Sequence, residues 1–242
     1  MATLVFDIET APQPLGAFDD FTQAYLSKSL DRPQLSATED EVKLAELTSS
    51  FGLSPFTGTV VAIGVYDLER KERVVYYVDE ARDADWEEAG VRYKPRSERE
   101  MLEDFWEGAT SYDVFVTFAG RMFDVPFLNI RSAAHGIAVS RDLMGHRYLA
   151  RQTVPYHIDL QDQFSYYGAL SRRPSLHLCS VTLGIESAKA AGVSGGDVAE
   201  LFASKQFRDI ATYNARDIEA TARLYQRWLE LLAPAYFKNL DL

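Results

Sequence analysis

The sequence predicts an α/β fold, a mixed sheet whose parallel part is covered by helices. Three observations predict it. Strand-like runs come early, at 3–8, 59–67 and 73–79, and the charged turn 68–72 makes the last two a hairpin. The stretch 113–118 (DVFVTF) is almost wholly apolar, as a parallel strand buried on both faces should be. It lies between helical patterns, and the chain closes on a long amphipathic helix over about 205–232.

Each element has a local reason. The first strand (TLVFDI) begins almost at residue one. The segment 11–56, with Pro12, Pro14, Pro33 and Pro55 and the acidic run 39–41, predicts an irregular insertion packed on one 242-residue domain, with a short helix at 42–47. Ser97 and Glu100 form a capping box for a helix whose apolar face is Met101, Leu102, Phe105 and Trp106. Gly120 ends the fourth strand, and a helix follows over 125–134. A short fifth strand is expected at 157–160, a Ser175-capped helix up to Gly184, and a lead-in at Asp197 to the last helix.

The 242 residues are ample for a buried core, and 47% hydrophobic with 25% charged residues describes a soluble globular chain. No apolar window is long enough to span a bilayer, so no membrane association is expected. There is no secretory leader pattern, and Cys179 is the single cysteine, which makes the reducing cytoplasm the expected home. A net charge of −11 excludes a general nucleic-acid coat protein and suits a basic protein partner, such as a polymerase or repair protein. The charge is uneven: residues 116–176 hold seven Arg, no Lys and four acids, a local balance of +3. Those Arg are read either as phosphate contacts or as a solvated scatter.

Three acidic motifs carry the chemistry. In Phe6-Asp7-Ile8-Glu9-Thr10 the two acids lie on one side of a strand that is apolar on both faces, with Leu4, Phe6 and Ile8 opposite them and Val5 beside them. Buried together they repel and lose solvation, and a divalent cation removes both costs; the competing reading is an exposed strand end. In FAGRMFDVPFL (118–128) one acid sits between large apolar residues, and Asp124 fits a helix N-cap with Pro126 in the first turn. In Tyr213-Asn214-Ala215-Arg216-Asp217 the acid falls on the apolar stripe Phe207, Ile210/Ala211, Asn214, Asp217/Ile218, Thr221, Leu224/Tyr225, Trp228, Leu231, one turn from Tyr213. The alternative there is an acid paired with Arg216 or Arg223.

FDIET, FAGRMFDVPFL and YNARD, in that order, resemble the three exonuclease motifs of the DEDD superfamily. Tyr213, four before the last acid, matches its tyrosine subtype, and the nearest likeness is to stand-alone relatives of the family B DNA polymerase proofreading domain. LSPFTGTVVAIGV, HIDLQD and SLHLCSVTLGI extend it over 1–10 and 53–230. The resemblance implies a ribonuclease H-like five-stranded mixed sheet, order 3-2-1-4-5 with strand 2 antiparallel. It implies a 3′→5′ exonuclease taking a single strand with a free 3′ end, DNA in preference to RNA. It also implies two Mg²⁺ or Mn²⁺ ions. Asp7 would bridge both ions, Glu9 and Asp217 serve the water-activating one, Asp124 serve the other through waters, and Tyr213 orient the water. The motif usually carries Asn where this chain has Ala119, a departure that touches strand binding rather than the acids.

Around that set, Phe118, Phe123 and Phe127 are candidates for base stacking, with core packing the competing reading. Arg121 is the phosphate candidate, Thr10 adjoins the first motif, and Asp159 reads equally as an acid behind the site or a strand-end cap. His157 and Cys179 read as structural. Two other functions compete: an exoribonuclease or oligonucleotide hydrolase on the same fold, and a non-catalytic binding module, which should have lost an acid or the tyrosine.

Overall fold

The computed structural model describes residues 1–28, 44, 47–79, 81, 84–185 and 195–238. The expected helix at 42–47 lies outside the described residues except at 44 and 47.

The sheet contains β1 (Thr3–Pro12), β2 (Gly58–Asp67), β3 (Glu72–Val78), β4 (Trp86–Glu88), β5 (Val91–Arg96), β6 (Val114–Thr117) and β7 (Tyr156–Asp159), in the order β4-β5-β3-β2-β1-β6-β7. Strand β2 is antiparallel to β1 and β3, while β6 is parallel to β1 and β7. The expected five strands are present in the expected order. The described sheet has two more, because β4 and β5 add an edge beyond β3. That hairpin turns on Ala89 and Gly90, both at positive φ, the two-residue turn whose twist suits paired strands.

The first strand is longer than the sequence pattern predicts, running on to Pro12 with a register shift against β2 between Glu9 and Thr10. The chain after it forms α1 (Asp20–Ser27), capped by Asp19, and a tight turn at Phe51–Leu53. The predicted capping box opens α2 (Glu98–Ala109) with both reciprocal bonds present. Next come α3 (Asp124–Ala134), the short α4 (Leu160–Phe164) and α5 (Leu176–Thr182), which Ser175 caps. Last are α6 (Val198–Ala203), the 25-residue α7 (Phe207–Leu231) and α8 (Ala235–Lys238).

The core has two faces. Leu4, Phe6 and Ile8 of β1 pack with Met101, Phe105 and Phe127 of α2 and α3. On the other face α7 crosses β1, β2 and β3, burying Ile210, Ala211 and Ile218 on Ala62 and Val75, while Val5 joins Leu224, Tyr225 and Trp228. The stripe predicted for α7 is buried as far as Trp228; Leu231, in the last turn before the chain bends at Leu232, is instead exposed. No helix among the described residues is long and apolar enough to cross a membrane.

Candidate active site

Alternation along β1 puts Asp7 and Glu9 on the α7 face, opposite Leu4, Phe6 and Ile8. The strand is central, so both acids sit deep, and α7 lays Asp217 over them. One carboxylate oxygen from each of Asp7, Glu9 and Asp217 lies within 4.8 Å of the others. Asp124 arrives from the far side of β1: its Oδ1 accepts from Ile8 N at 3.1 Å, between the two β1 acids. The N-cap expectation for Asp124 is therefore corrected. The cap position is Phe123, Asp124 is the first helical residue, and its side chain is held by the strand rather than by its own helix.

The electrostatics follow from that crowding. Asp7 and Glu9 are held well above the usual carboxylate range, by burial first and then by neighbouring carboxylates, chiefly Asp124 for Asp7 and Asp217 for Glu9. Burial pushes Asp124 up to about 7 despite the bond from Ile8 N. Among the described residues no ion pair reaches Asp7, Glu9 or Asp124, and the one side-chain bond that relieves Asp7 and Glu9 is the amide of Asn214. Its Nδ2 donates to Asp7 Oδ2 at 2.8 Å. Tyr213 is buried, and its phenol is driven far above its ordinary value by burial, by Asp217 and Glu9, and by a hydrogen bond with Asp217. It therefore stays protonated and serves as a donor.

Asn214 is the functional residue that motif reading missed. It is fully buried, its Oδ1 has no partner, and it sits against Gly64, the β2 residue paired with Asp7. A Cβ at Gly64 would come within 2.1 Å of Asn214 Oδ1. A glycine inside an apolar strand marks such an approach, and Gly64 in TVVAIGVYD was the available signal.

The outer candidates fall differently. Thr10 Oγ1 donates to Gly52 O at 2.6 Å, tying the end of β1 to the Phe51–Leu53 turn. The Arg121 guanidinium donates to the carbonyls of Leu143 (3.3 Å) and Gly145 (2.6 Å), so these donors hold a loop rather than face the acids. Asp159 caps α4 through Gln161 N and binds the 119–121 turn through Ala119 N and Arg121 N, each at 3.0 Å. Phe118 and Phe123 are half-buried against the two core faces, and Phe127 is buried. Ala119 lies at φ +64, in the left-handed region.

A three-layer fold with a carboxylate cluster at a central strand defines a ribonuclease H-like nuclease architecture. The family model described as a predicted 3′-5′ exonuclease related to the exonuclease domain of PolB matches residues 56–234, and the chain belongs to that family. Its fold is similar to that of the family B DNA polymerase from the hyperthermophilic archaeon Pyrobaculum calidifontis, with a TM-score of 0.59 at 17% identity over 94% of this chain. The match spans 24% of the polymerase, about a quarter of its length. No curated protein sequence matches the chain.

Proposed function

We propose that the protein is a 3′→5′ exonuclease that hydrolyses phosphodiester bonds at the 3′ end of single-stranded DNA, with Mg²⁺ or Mn²⁺ held by Asp7, Glu9, Asp124 and Asp217. The observation that carries this reading is the convergence of one carboxylate oxygen from each of Asp7, Glu9 and Asp217 within 4.8 Å at a central strand, in a member of an exonuclease family. The donor set fits: hard carboxylate oxygens suit these ions, and a divalent charge offsets both the repulsion and the lost solvation. When bound, such ions supply the Lewis acidity that activates a water and stabilises the departing 3′ oxygen.

The chain's own residues do the rest. Asp7 is held by the Asn214 amide, and Asp124 by Ile8 N, so both carboxylates are oriented before any ligand arrives. Tyr213 keeps its proton and donates to Asp217, so it orients the attacking water rather than taking a proton from it. Tyr213→Phe is then expected to lower kcat by on the order of 10²-fold without adding a new limb to the pH–rate profile.

The decisive experiment incubates purified protein with 5′-labelled single-stranded DNA and RNA of one sequence, with Mg²⁺, with Mn²⁺, and with chelator. A metal-dependent ladder shortening from the 3′ end, faster on DNA, is expected. No ladder on either strand from folded protein overturns the nuclease reading, and a faster ladder on RNA overturns the choice of substrate.

A further inference from the structure

The chain is strongly acidic, yet one wall of it is not. Residues 143–185 hold two acids, Asp159 and Asp162, and both are buried. The same stretch carries Arg147, Arg151, Arg172 and Arg173, all exposed, and no lysine. Among them stand two exposed tyrosines, Tyr148 at 53% and Tyr166 at 63%.

Hydrogen bonds gather these residues at one place, around α4. Asp162 pairs with Arg147 and accepts, through its carbonyl, from Tyr167 N at 2.7 Å. The Tyr167 hydroxyl accepts from Leu149 N at 3.0 Å, and its ring meets Tyr148 at 4.8 Å. Gln161 Nε2 donates to Pro174 O at 3.0 Å, which brings the Arg172–Arg173 loop onto the same helix. Arg173 reaches Met122, and Asp159 of the same hub holds the 119–121 turn, so the wall adjoins the turn that leads to Asp124.

The backbone adds an independent observation. Tyr166 and Tyr167 both lie in the left-handed region, at φ +49 and +57. Side chains there cost energy that glycine or asparagine would avoid, and such strain persists where the side chain is needed. Tyr167 is used internally. Tyr166 points its ring into solvent.

We propose that this wall is a track for a single polynucleotide strand running to the Asp124 turn, its arginines taking phosphates and Tyr148 and Tyr166 offering ring faces to unpaired bases. Basic residues with interleaved aromatics suit a strand whose bases are free to stack, and an isolated basic wall on an acidic molecule directs a polyanion to one edge. The inference rests on the nuclease reading of the four-acid site, and its test is set so that the two can fail separately.

The test measures binding of a fluorescent oligothymidylate strand by anisotropy in chelator, where no hydrolysis is needed. Arg151→Gln, Arg172→Gln and Arg173→Gln combined should weaken binding about ten-fold or more and flatten the log Kd against log salt slope by about 2. Tyr166→Asn, which tolerates the left-handed backbone, should weaken it about five-fold or more. A control set, Arg92→Gln, Arg99→Gln and Arg227→Gln, removes equal charge elsewhere and should leave binding within about two-fold. Wild-type affinity and salt slope in the Arg151/172/173 variant overturn the track, as does an equal loss in the control set or no binding by the wild type. If the binding pattern holds while no strand is ever cut, the track stands and the nuclease reading falls.

Discussion

Two acidic centres flank the same sheet and behave in opposite ways. Glu98, at the start of α2, is surrounded by donors: Val60 N (2.8 Å), Arg131 Nε and Nη2 (2.8 and 2.7 Å) and His135 Nε2 (2.8 Å). Burial raises its pKa, but the bonds from Arg131, His135 and Val60 outweigh it, and the carboxyl ends below its ordinary value. Asp7, Glu9 and Asp124 lie deeper and have no guanidinium beside them, and all three are pushed up. A carboxylate whose charge is answered from within holds the fold together. One whose charge is answered only by an amide or a strand N–H is strained in isolation and fits an external cation.

The largest expected effects come from removing one acid from each centre. Asp7→Asn keeps the shape that accepts from Asn214 but removes the charge. It is expected to lower kcat by on the order of 10³-fold. In chelator, stability should rise by on the order of 1 kcal/mol as repulsion is relieved. Glu98→Ala should do the reverse: about 3 kcal/mol of stability lost in urea denaturation, because Arg131 and His135 are left without their partner. If both variants lose stability by similar amounts in chelator, the distinction between the two centres is wrong.

His157 is the basic counterpart and gives the next effect in size. Its Nδ1 bonds the Leu143 carbonyl at 2.8 Å, its Nε2 meets Thr117 Oγ1 at 2.9 Å, and burial pulls its pKa down to about 4. The unfolded chain, with an ordinary histidine near 6.5, takes up the proton first as pH falls. Stability is therefore complete above about 6.5 and drains as pH falls towards 4, by about 2 kcal/mol between pH 7 and 5. Asp124 titrates in the same range with the opposite sign, so the quantity to compare is the pH slope of wild type against His157→Gln. Parallel slopes would show that the ring is not held neutral.

The parts of this site legible in the sequence are those fixed by short spacing. Asp7 and Glu9 share a strand face because they are two apart, and Tyr213 and Asp217 share a helix face because they are four apart. Asp124 was legible as an acid beside a buried strand, but its anchor, Ile8 N, lies 116 residues away. The same distance hid Asn214, whose partner is 207 residues off, and the commitments of Arg121 and Asp159, which depend on where loops come to rest. In the fold, strands with apolar alternation or apolar runs were legible. The β4–β5 hairpin was not, since WEE has neither and VRYKPR alternates only through Pro95, a residue that argues against a strand, and the hairpin depends on the Ala89–Gly90 turn and on pairing with β3.

The smallest effect concerns the turn that joins two buried acids, Asp159 and Asp124. Asp159 accepts from Ala119 N and Arg121 N, which hold the turn, but burial outweighs those bonds and its carboxyl stays above its ordinary value, as does that of Asp124 at the end of the same turn. Between them Ala119 lies at φ +64, which an alanine adopts only against steric resistance and which asparagine tolerates far better. The related motif usually has Asn here, so a backbone requirement accounts for that preference, apart from any strand contact. Ala119→Asn should then stabilise the protein by about 1 kcal/mol, a rise of a few degrees in Tm, in chelator as well as in metal. An Asn that serves only the strand would leave Tm unchanged and lower KM instead, and that pattern would assign the position to substrate rather than to the fold.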